Sequence, residues 1–541
     1  MCHPSRIHGF VLAVLVLVLT PLIVSAQGSI QGTVTFWGDP GTGTQVQIGA
    51  HSDPNGPPDV DQFVSLPGGA FTLPVADGTY YIAAVMAPDG SFGEPRPEDV
   101  LVWYDADGDG DRDSVTVTGG AVTGIDVDMG FVYVDIDAVG ANDGSSWADA
   151  YTDLQDGIDL AVSGIEVWVA EGTYVPGASR TDSFLPKTGV RVYGGFAGVE
   201  TMRVQRDWNA HPTVLSGEIG SAPATDNCYH VVRAGSANVT AMLNGFTITR
   251  GYANGAGNDG HGGGVQLIGG GVSLVNVALV DNYAGSFGGG IYTDSPATVY
   301  AVNCRFNGNQ AVMHGGGAEI DANSGVPSMV VNAVLTGNSA YRGGGIAVEG
   351  QVFAPGLQPR LVNLTLAGNS AGGEGGGIFT NTTTYSPPGG APVNIDNSIL
   401  WDNSGPNPQI SVFGGSEQPL VSYSLVEGGW TGTGNIDADP SFADAELRLN
   451  LDSPVIDAGD SMAIPDDLVD LNEDHWDDGM IERDLDMNWR RENIPYVPDT
   501  GVHDGEFRTV DMGAYEAWDP AVIFFDGFEW GDTSEWSGSS P

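Results

Sequence analysis

Basic residues are scarce in this chain of 541 residues. It contains 18 Lys and Arg residues in total, compared with 69 Asp and Glu, and Lys187 is the only lysine. The formal charge of −51 excludes binding to nucleic acid or to an anionic membrane through a basic surface. Calcium, neutral polysaccharide and basic partners are the ligand classes that such a chain leaves open.

Cysteine is scarce as well, with three residues, and after residue 26 no apolar run reaches the roughly 18 residues that suggest a membrane span. Residues 1–26 have a basic start, a short apolar run and small residues at 24–26, which is typical of a secretory signal. Cleavage there leaves Cys228 and Cys304 and no transmembrane segment; an uncleaved anchor is the alternative. We therefore expect an exported protein.

A repeat occupies the middle of the chain, between residues 236 and 403. Five pairs of asparagines, six positions apart, enclose short apolar segments: Asn276/Asn282, Asn303/Asn309, Asn332/Asn338, Asn363/Asn369 and Asn397/Asn403. Glycine triplets alternate with these pairs at intervals of 26, 27, 28 and 32 residues and begin at Gly262, Gly288, Gly315, Gly343 and Gly375. A period of this length in a strand-rich chain predicts a solenoid.

The residues between the paired asparagines predict how the coils stack. Alternate side chains of a strand share a face, so two columns are expected inside the coils: Val277/Cys304/Ala333/Leu364/Ser398 and Leu279/Phe306/Leu335/Leu366/Leu400. The second asparagine of each pair is expected to bond to its equivalent in the next coil, as amide ladders do in stacked strands. We predict a parallel β-helix of roughly ten coils that turns at the glycines.

This register bears on the two cysteines. Cys304 falls in an interior column, and Cys228 lies 76 residues earlier, roughly two to three coils away. Coils about 4.8 Å apart put the thiols on the order of 10–14 Å from each other, whereas a disulfide needs Cα atoms within about 7 Å. Both cysteines are therefore expected to be free, and Cys304 to act as a small buried apolar residue.

Other kinds of sequence flank the repeat. Residues 27–130 alternate apolar and polar side chains between turn signals, which predicts a small antiparallel β-sandwich. We place the β-helix at 131–434, a C-terminal cap region at 435–518 and a tail at 519–541. The tail is acidic and aromatic, which suits a sorting or docking peptide or a last strand.

One amphipathic helix is expected at the start of the β-helix. Ser146 can cap it, and its apolar stripe would consist of Trp147, Tyr151, Leu154, Ile158 and Ala161. Such a helix would cover the first open end of the solenoid.

Several motifs resemble those of bacterial surface proteins. Gly-Gly-Gly-Ile at 288–291, 343–346 and 375–378 and Phe-Asn-Gly-Asn at 306–309 resemble the repeats of polymorphic outer-membrane proteins, although leucine replaces the phenylalanine in the other repeats. The region 131–518 thus looks like right-handed parallel β-helix proteins of the pectin-lyase-like superfamily.

The flanking regions carry further resemblances. Segments 435–440, 453–460 and 511–516 resemble the C-terminal part of surface proteins with a variable anchor, and 27–130 resembles transthyretin-like or carboxypeptidase-regulatory sandwiches. These likenesses imply an all-β chain, with a right-handed parallel β-helix preceded by a small antiparallel β-sandwich. They also imply a bacterial protein that is secreted or associated with the outer membrane.

An acidic segment between residues 105 and 113 predicts a calcium site. Its alternating carboxylates, followed by glycine at the sixth position, match the first half of an EF-hand loop: Asp105, Asp107, Asp109, Asp111 and Asp113. The twelfth position is Thr116 rather than an acid, so a shorter loop is expected, with structural Ca²⁺ as the cofactor and a solvated hairpin as the alternative. A second acidic segment, 470–478, is a more degenerate match.

The β-helix itself offers a ligand face. The second and fourth residues after each glycine triplet should point outward, which gives a face made of Tyr292, Asp294, Glu319, Asp321, Glu349 and Phe379. Carboxylates would then recur about 5 Å apart, and aromatic rings could stack on sugars. A solvated acidic face is the alternative. His261 precedes a triplet and is interpreted as a turn residue, because the other elements of pectin-hydrolysing enzymes are absent.

We therefore predict adhesion or extracellular carbohydrate binding without catalysis, with a polysaccharide or cell-surface glycan as partner. A carbohydrate-active enzyme using the acidic face is the competing hypothesis, with a glycoside hydrolase favoured over a polysaccharide lyase, because the chain repels polyanions. A structural spacer without a ligand is the third possibility, since fold alone does not choose among these functions.

Overall fold

A computed structural model describes residues 28–38, 45–66, 68–87, 92, 99–220, 224–384, 392–468, 480–481, 483–490, 494, 497–503 and 509–517. The signal segment at 1–26, the acidic segment at 470–478 and the tail at 519–541 lie outside the described residues. No helix within the ranges given is long and apolar enough to cross a membrane.

The described residues up to 134 contain nine strands. Their bounds are β1 Gly28–Trp37, β2 Gln45–His51, β3 Val60–Ser65, β4 Gly68–Val75, β5 Gly78–Met86, β6 Val100–Trp103, β7 Ser114–Val117, β8 Ala121–Thr123 and β9 Val127–Val134. The alternation of the sequence follows burial: Ile30, Val34 and Phe36 of β1 point into the core.

Two sheets make up this N-terminal part. Strands β3, β2, β5 and β6 pair in that order with β7 beside β5, all antiparallel. In the second sheet β1 pairs with β4 antiparallel and with β8 and β9 in parallel. The mixed second sheet departs from a purely antiparallel sandwich. It also leaves the free edge of β9 available for further parallel pairing.

The described residues after β9 contain one α-helix, α1 Leu154–Leu160, and 28 strands. The strands are β10 Ile165–Ala170, β11 Gly172–Tyr174, β12 Arg191–Phe196, β13 Thr213–Ser216, β14 Val232–Ala234, β15 Met242–Asn244, β16 Phe246–Thr249, β17 Tyr252–Ala253, β18 Val265–Ile268, β19 Gly271–Val275, β20 Ala278–Val280, β21 Tyr283–Ala284, β22 Ile291–Asp294, β23 Thr298–Val302, β24 Arg305–Asn307, β25 Gln310–Ala311, β26 Ala318–Asp321, β27 Met329–Thr336, β28 Ser339–Arg342, β29 Ile346–Val352, β30 Arg360–Ala367, β31 Ser370–Glu374, β32 Ile378–Thr384, β33 Asn394–Asp396, β34 Ile399–Trp401, β35 Ile410–Val412, β36 Leu420–Ser422 and β37 Leu425–Val426. Short 3₁₀ turns lie at Arg203–Gln205, Ala224–Asp226, Gly257–Gly260 and Ser461–Ala463.

These strands form the parallel β-helix that the repeat predicts. One long sheet joins nine rungs that start at β10, β12, β15, β19, β23, β27, β30, β33 and β36. A seven-stranded sheet (β14, β18, β22, β26, β29, β32, β35) and a five-stranded sheet (β17, β21, β25, β28, β31) complete the coils. The predicted fold class is confirmed, with nine rungs among the described residues.

The stacking of side chains inside the coils also agrees with the prediction. Leu279 lies opposite Phe306, which lies opposite Leu335, and the column continues in the same register. The neighbouring column, which contains Cys304, is buried at every position. Both Cys228 and Cys304 are free and buried, and burial raises the pKa of each thiol to about 12.

The second asparagines form the expected ladder. The Nδ2 group of Asn309 donates to Oδ1 of Asn338 at 3.0 Å, and that of Asn338 donates to Oδ1 of Asn369 at 2.9 Å. Each amide also donates to a carbonyl of the preceding coil, as Asn338 does to Phe306 O at 2.9 Å. Buried amides that are fully bonded in this way hold successive coils in one register.

The first asparagines have a different role. Each adopts a left-handed backbone conformation, with φ between 51° and 54°, at the bend in the long sheet. The side chains of the last four bond to the C-terminal segment: for example, Asn303 Nδ2 donates to Asp484 O at 2.8 Å, and Asn397 Nδ2 donates to Asp460 O at 2.9 Å. The C-terminal segment therefore packs along the side of the β-helix.

The N-terminal sheet continues directly into the β-helix. Strand β9 pairs in parallel with β1 on one side and with β10 on the other. Strand β9 therefore spans the boundary at residue 130 that we drew from the sequence. The N-terminal part thus extends the stack of parallel strands.

The predicted helix at the start of the β-helix is shorter than expected. It begins at the cap Asp153, whose side chain accepts a hydrogen bond from Gln155 N, and not at Ser146. Tyr151 instead forms a bridge with Val134 of β9, and this strand pairing competes with a helical conformation. Leu154, Ile158 and Ala161 are buried in the core as predicted.

Candidate ligand-binding face

The glycine triplets bring two turns of each coil close together. The first glycine of each triplet has a φ between 62° and 70°, which side chains disfavour. The second glycine packs against the next coil: a Cβ on Gly289 would lie 2.5 Å from the carbonyl oxygen of Gly316. Only glycine allows the backbone to turn here, and the turn places the residue before the triplet above the seven-stranded sheet.

The second residues after the triplets form one column on the outer side of this sheet. Tyr292 lies opposite Gln266 and Glu319, and Ala347 lies opposite Glu319 and Phe379. Tyr292 is partly exposed, but Glu319 is only 7% exposed and Phe379 is fully buried. Their neighbours Ile320 and Ile378 fill the interior of the coils, so Glu319 and Phe379 point away from it but are buried.

The fourth residues form a second column beside the first. Asp321 lies opposite Glu349, and Glu349 lies opposite Asn381. Asp294 occupies the equivalent position in the preceding strand, and Asp294, Asp321 and Glu349 are all partly exposed. The three carboxylates thus follow one another along the coils as the sequence predicts.

Glu319 and Phe379 are covered by a row of side chains that sequence reasoning missed. We call it the turn row, and it consists of the residues immediately before the triplets: His261, Phe287, His314, Arg342 and Glu374. The predicted turn residue His261 stacks on Tyr292, with ring centroids 4.8 Å apart. The guanidinium of Arg342 lies over the rings of Phe379 and Phe413 at 5.2 and 5.3 Å.

The sequence contains a signal for the turn row. Every member stands one position before a glycine triplet, and parallel stacking puts equivalent positions of successive coils in line. Main-chain bridges join Phe287 to His314 and His314 to Arg342. The composition of the row varies from coil to coil, so no single residue type marks it in the sequence.

The turn row lies over the first column, and the partly exposed carboxylates of the second column run beside it; we call this strip of the face the cleft. Desolvation, followed by the charges of Glu349 and Asp321, raises the pKa of Glu319 well above its usual range. Burial also raises the pKa of Asp321 and lowers that of His261. A raised pKa favours the protonated carboxyl group, which can donate a hydrogen bond as well as accept one.

A shallow polar depression adjoins the cleft. It is lined by Ser295, Asn323, Gly350, Gln351, Phe353, Asn381 and Thr383. Phe353 is 51% exposed, and Asp321 Oδ1 accepts a hydrogen bond from Asn323 N at 2.7 Å. Amides, hydroxyls, carboxylates and an exposed ring therefore lie side by side along several coils.

The acidic loop lies far along the chain from this face. Three of its five predicted ligands come together, since oxygens of Asp105, Asp107 and Asp109 lie within 4.8 Å of one another. Asp113 instead accepts a hydrogen bond from Ala106 N at 2.8 Å, and Asp111 does not belong to the group of three. The charge of Asp109 raises the pKa of Asp107, which is the repulsion that a divalent cation relieves.

The loop is also attached to the β-helix. Asp105 Oδ2 accepts from Ser163 Oγ at 2.6 Å, and the carbonyl oxygen of Asp109 accepts from Asn238 Nδ2 and Thr240 Oγ1 at 3.0 and 2.6 Å. An ion held by the three carboxylates would therefore stiffen the junction between the N-terminal part and the coils.

Comparison with known proteins gives a limited result. No protein-family model matches the chain, and no curated protein matches it. Among solved structures, a crystal structure of the pectate lyase Pel9A is similar to 72% of this chain and to 96% of its own, with 14% sequence identity and a TM-score of 0.33.

Proposed function

We propose that the chain is a carbohydrate-binding protein of the bacterial surface or exterior, acting in adhesion or glycan capture. The observation that carries the proposal is the cleft along the seven-stranded sheet, where Asp294, Asp321 and Glu349 follow one another beside Tyr292 and the turn row. Sugars present hydroxyls that bond to carboxylates and amides, and apolar ring faces that pack on aromatic side chains.

The charge of the chain supports this ligand class. A formal charge of −51 disfavours uronate polymers and other polyanions. Rows of similar side chains in adjacent coils suit a polymer, because each coil can present the same contacts to the next sugar. Such repeated contacts favour binding over catalysis, because catalysis requires one unique centre.

Binding can be tested with the mature chain on an array of neutral, amino and acidic glycans, followed by titration of the positive ligands. The face variant Asp294→Asn should weaken binding at least fivefold, whereas Asp137→Asn, an exposed acid at the far end of the coils, should not. Products are analysed in parallel. New reducing ends or unsaturated products would overturn the proposal in favour of an enzyme, and no binding to any glycan would favour a spacer.

We also propose that Asp105, Asp107 and Asp109 hold a structural Ca²⁺ ion. Alternating carboxylates and the positive φ of Gly108 and Gly110 support a short calcium loop. Asp111 and Asp113 lie outside this group of three, so they would bind the ion only after the loop rearranges.

Export and surface location are part of the same proposal. They rest on the signal-like residues 1–26 and on the resemblance of the repeats and of the 435–518 region to bacterial surface proteins. Fractionation of the producing cells, with detection of the chain outside the inner membrane, tests this part. Recovery in the cytoplasm with residues 1–26 intact would contradict it.

A further inference from the structure

We infer that the cleft selects glycans that carry free amino groups, such as oligomers of 2-amino-2-deoxyhexose, with an ammonium group lying between Glu319 and the carboxylates of Asp321 and Glu349. This inference rests on the proposed function and narrows its ligand class.

Two buried acceptors point to a donor from outside the protein. Oε2 of Glu319 and Oε1 of Gln266 have no hydrogen-bond partner among the described residues, although Glu319 is 7% exposed and Gln266 is fully buried. They flank Tyr292 in one column of the sheet. Leaving a buried acceptor unbonded is costly. An ammonium group, with three donors and no acceptor, can satisfy Oε2 of Glu319, whereas Oε1 of Gln266 lies two strands away and needs a separate donor.

The charges around Glu319 favour a cation. Asp294 on β22, Asp321 on β26 and Glu349 on β29 all raise its pKa through their charge. On the opposite wall, Arg342 is held over two phenyl rings and lies 3.7 Å from the carboxylate of Glu374. His314 lies 2.7 Å from Glu349. Arg342 thus lies near a carboxylate of its own row, and the carboxyl groups along the cleft outnumber it.

The spacing of the coils suits a linear polymer. Equivalent positions recur about every 4.8 Å along the solenoid axis, which is close to the length of one sugar ring in an extended chain. Because successive sugars of an extended β-1,4 chain are flipped, amino groups on one side recur at every second sugar. Asp294 and Glu349, two coils apart, could then meet two such amino groups, while Tyr292 and the exposed Phe413 contact ring faces.

Binding of an ammonium group has a consequence that neutral sugars do not share. A positive charge beside Glu319 favours the ionised carboxylate, so Glu319 should lose a proton when the ligand binds. Proton release provides a signature that belongs to the buried carboxyl group and not to the general negative charge of the chain.

Isothermal titration with three tetrasaccharides of the same linkage, made of β-1,4-linked glucosamine, N-acetylglucosamine or glucose, tests the inference. At pH 5.5 and 150 mM NaCl we expect the glucosamine oligomer to bind at least tenfold more tightly than the other two. Heats measured in buffers of different ionisation enthalpy should reveal release of up to one proton.

Controls separate the cleft from nonspecific attraction. Glu319→Gln keeps the shape of the side chain and should abolish proton release and most of the preference. Asp294→Asn, at a partly exposed position, serves as a second variant if Glu319→Gln lowers the thermal midpoint, and it should reduce the preference several-fold. The Asp137→Asn variant should behave like the original chain, and tetralysine should bind no more tightly to the original chain than to Glu319→Gln.

The outcomes are distinguishable. Equal binding of all three oligomers, or a preference that survives in both face variants, overturns the inference but leaves glycan binding standing. No binding of any oligomer, together with a negative array, overturns the proposed function as well.

Discussion

Nδ1 of His314 lies 2.7 Å from Oε1 of Glu349, so a polar contact connects the turn row of one coil with the carboxylate column of the next. Both side chains are largely buried, at 11% and 23% exposure, and Phe379 packs beside the imidazole with centroids 5.6 Å apart. The contact therefore links the turn row to the carboxylate column.

A double-mutant cycle of His314→Ala and Glu349→Gln should measure this contact. We expect a coupling of about 0.5–2 kcal/mol in the free energy of unfolding. A coupling below about 0.3 kcal/mol would show that the two side chains contribute independently.

Removal of one rung of the asparagine ladder should destabilise the whole β-helix. Asn338 is fully buried and accepts hydrogen bonds from the backbone and side chain of Asn309 while it donates to Phe306 O and Asn369. Asn338→Ala leaves these groups unbonded, so chemical denaturation should show a loss of roughly 2–4 kcal/mol.

The matched control lies on the neighbouring rung. The side chain of Asn307 is exposed and bonds only to Thr336 Oγ1 among the described residues, so Asn307→Ala should change the free energy of unfolding by less than about 0.5 kcal/mol. Similar losses for Asn338→Ala and Asn307→Ala would show that the ladder is not a main source of stability.

The C-terminal segment should hold more tightly in acid than in base. Burial raises the pKa of Asp457 to about 8 and that of Asp511 to about 7. The charge of Asp511 adds to the rise at Asp457, whereas the hydrogen bond that Asp457 N donates to Asp511 Oδ1 lowers the pKa of Asp511 in part. Because the folded-state pKa values exceed those of the unfolded chain, the stability they provide is complete below about pH 4 and is lost as the pH rises through 7 to 8.

Limited proteolysis and thermal unfolding between pH 5 and pH 8.5 check this expectation. Asp457→Asn should flatten the pH dependence and stabilise the segment at pH 8.5 by roughly 1–3 kcal/mol. The exposed Glu446→Gln, in the same region, should leave the pH dependence unchanged. A wild-type profile that is flat, or that rises with pH, would contradict the proposed role of the buried acids.

Calcium should stabilise the junction between the N-terminal part and the coils. Saturation of the loop at about 100 times the dissociation constant would add about 2.7 kcal/mol, which millimolar Ca²⁺ should reveal as a higher thermal midpoint of the full chain. Asp107→Asn should remove the effect, whereas Asp137→Asn should not. A calcium shift that persists in Asp107→Asn would place the ion elsewhere.

Much of the β-helix could be predicted from local pattern because its repeats are equivalent. The asparagine pairs and glycine triplets fix the turns, so the columns through Leu279 and Cys304 and the ladder through Asn338 followed from spacing alone. The three carboxylates on the outer face followed from the same register.

The predictions failed where a segment can pair with a strand instead of forming a helix, and where segments distant in the chain come into contact. Ser146 is a residue type that caps helices, but Tyr151 pairs with Val134 of β9, and the helix begins only at the cap Asp153. The burial of Glu319 and Phe379 depends on side chains from another turn of the coil, which the two-residue period of a strand does not reveal.

The sequence by itself determined the parallel coils, the residues inside them and the asparagine ladder. Each coil contacts only the coils next to it, so a repeated local pattern is enough to specify all three. Only the tertiary structure decided that β9 joins the N-terminal sheet to the coils, that the C-terminal segment bonds to Asn303 and Asn397, and that the turn row makes a cleft of a flat face. Each of these features depends on contacts between segments that are far apart in the chain. A local sequence period does not encode such contacts.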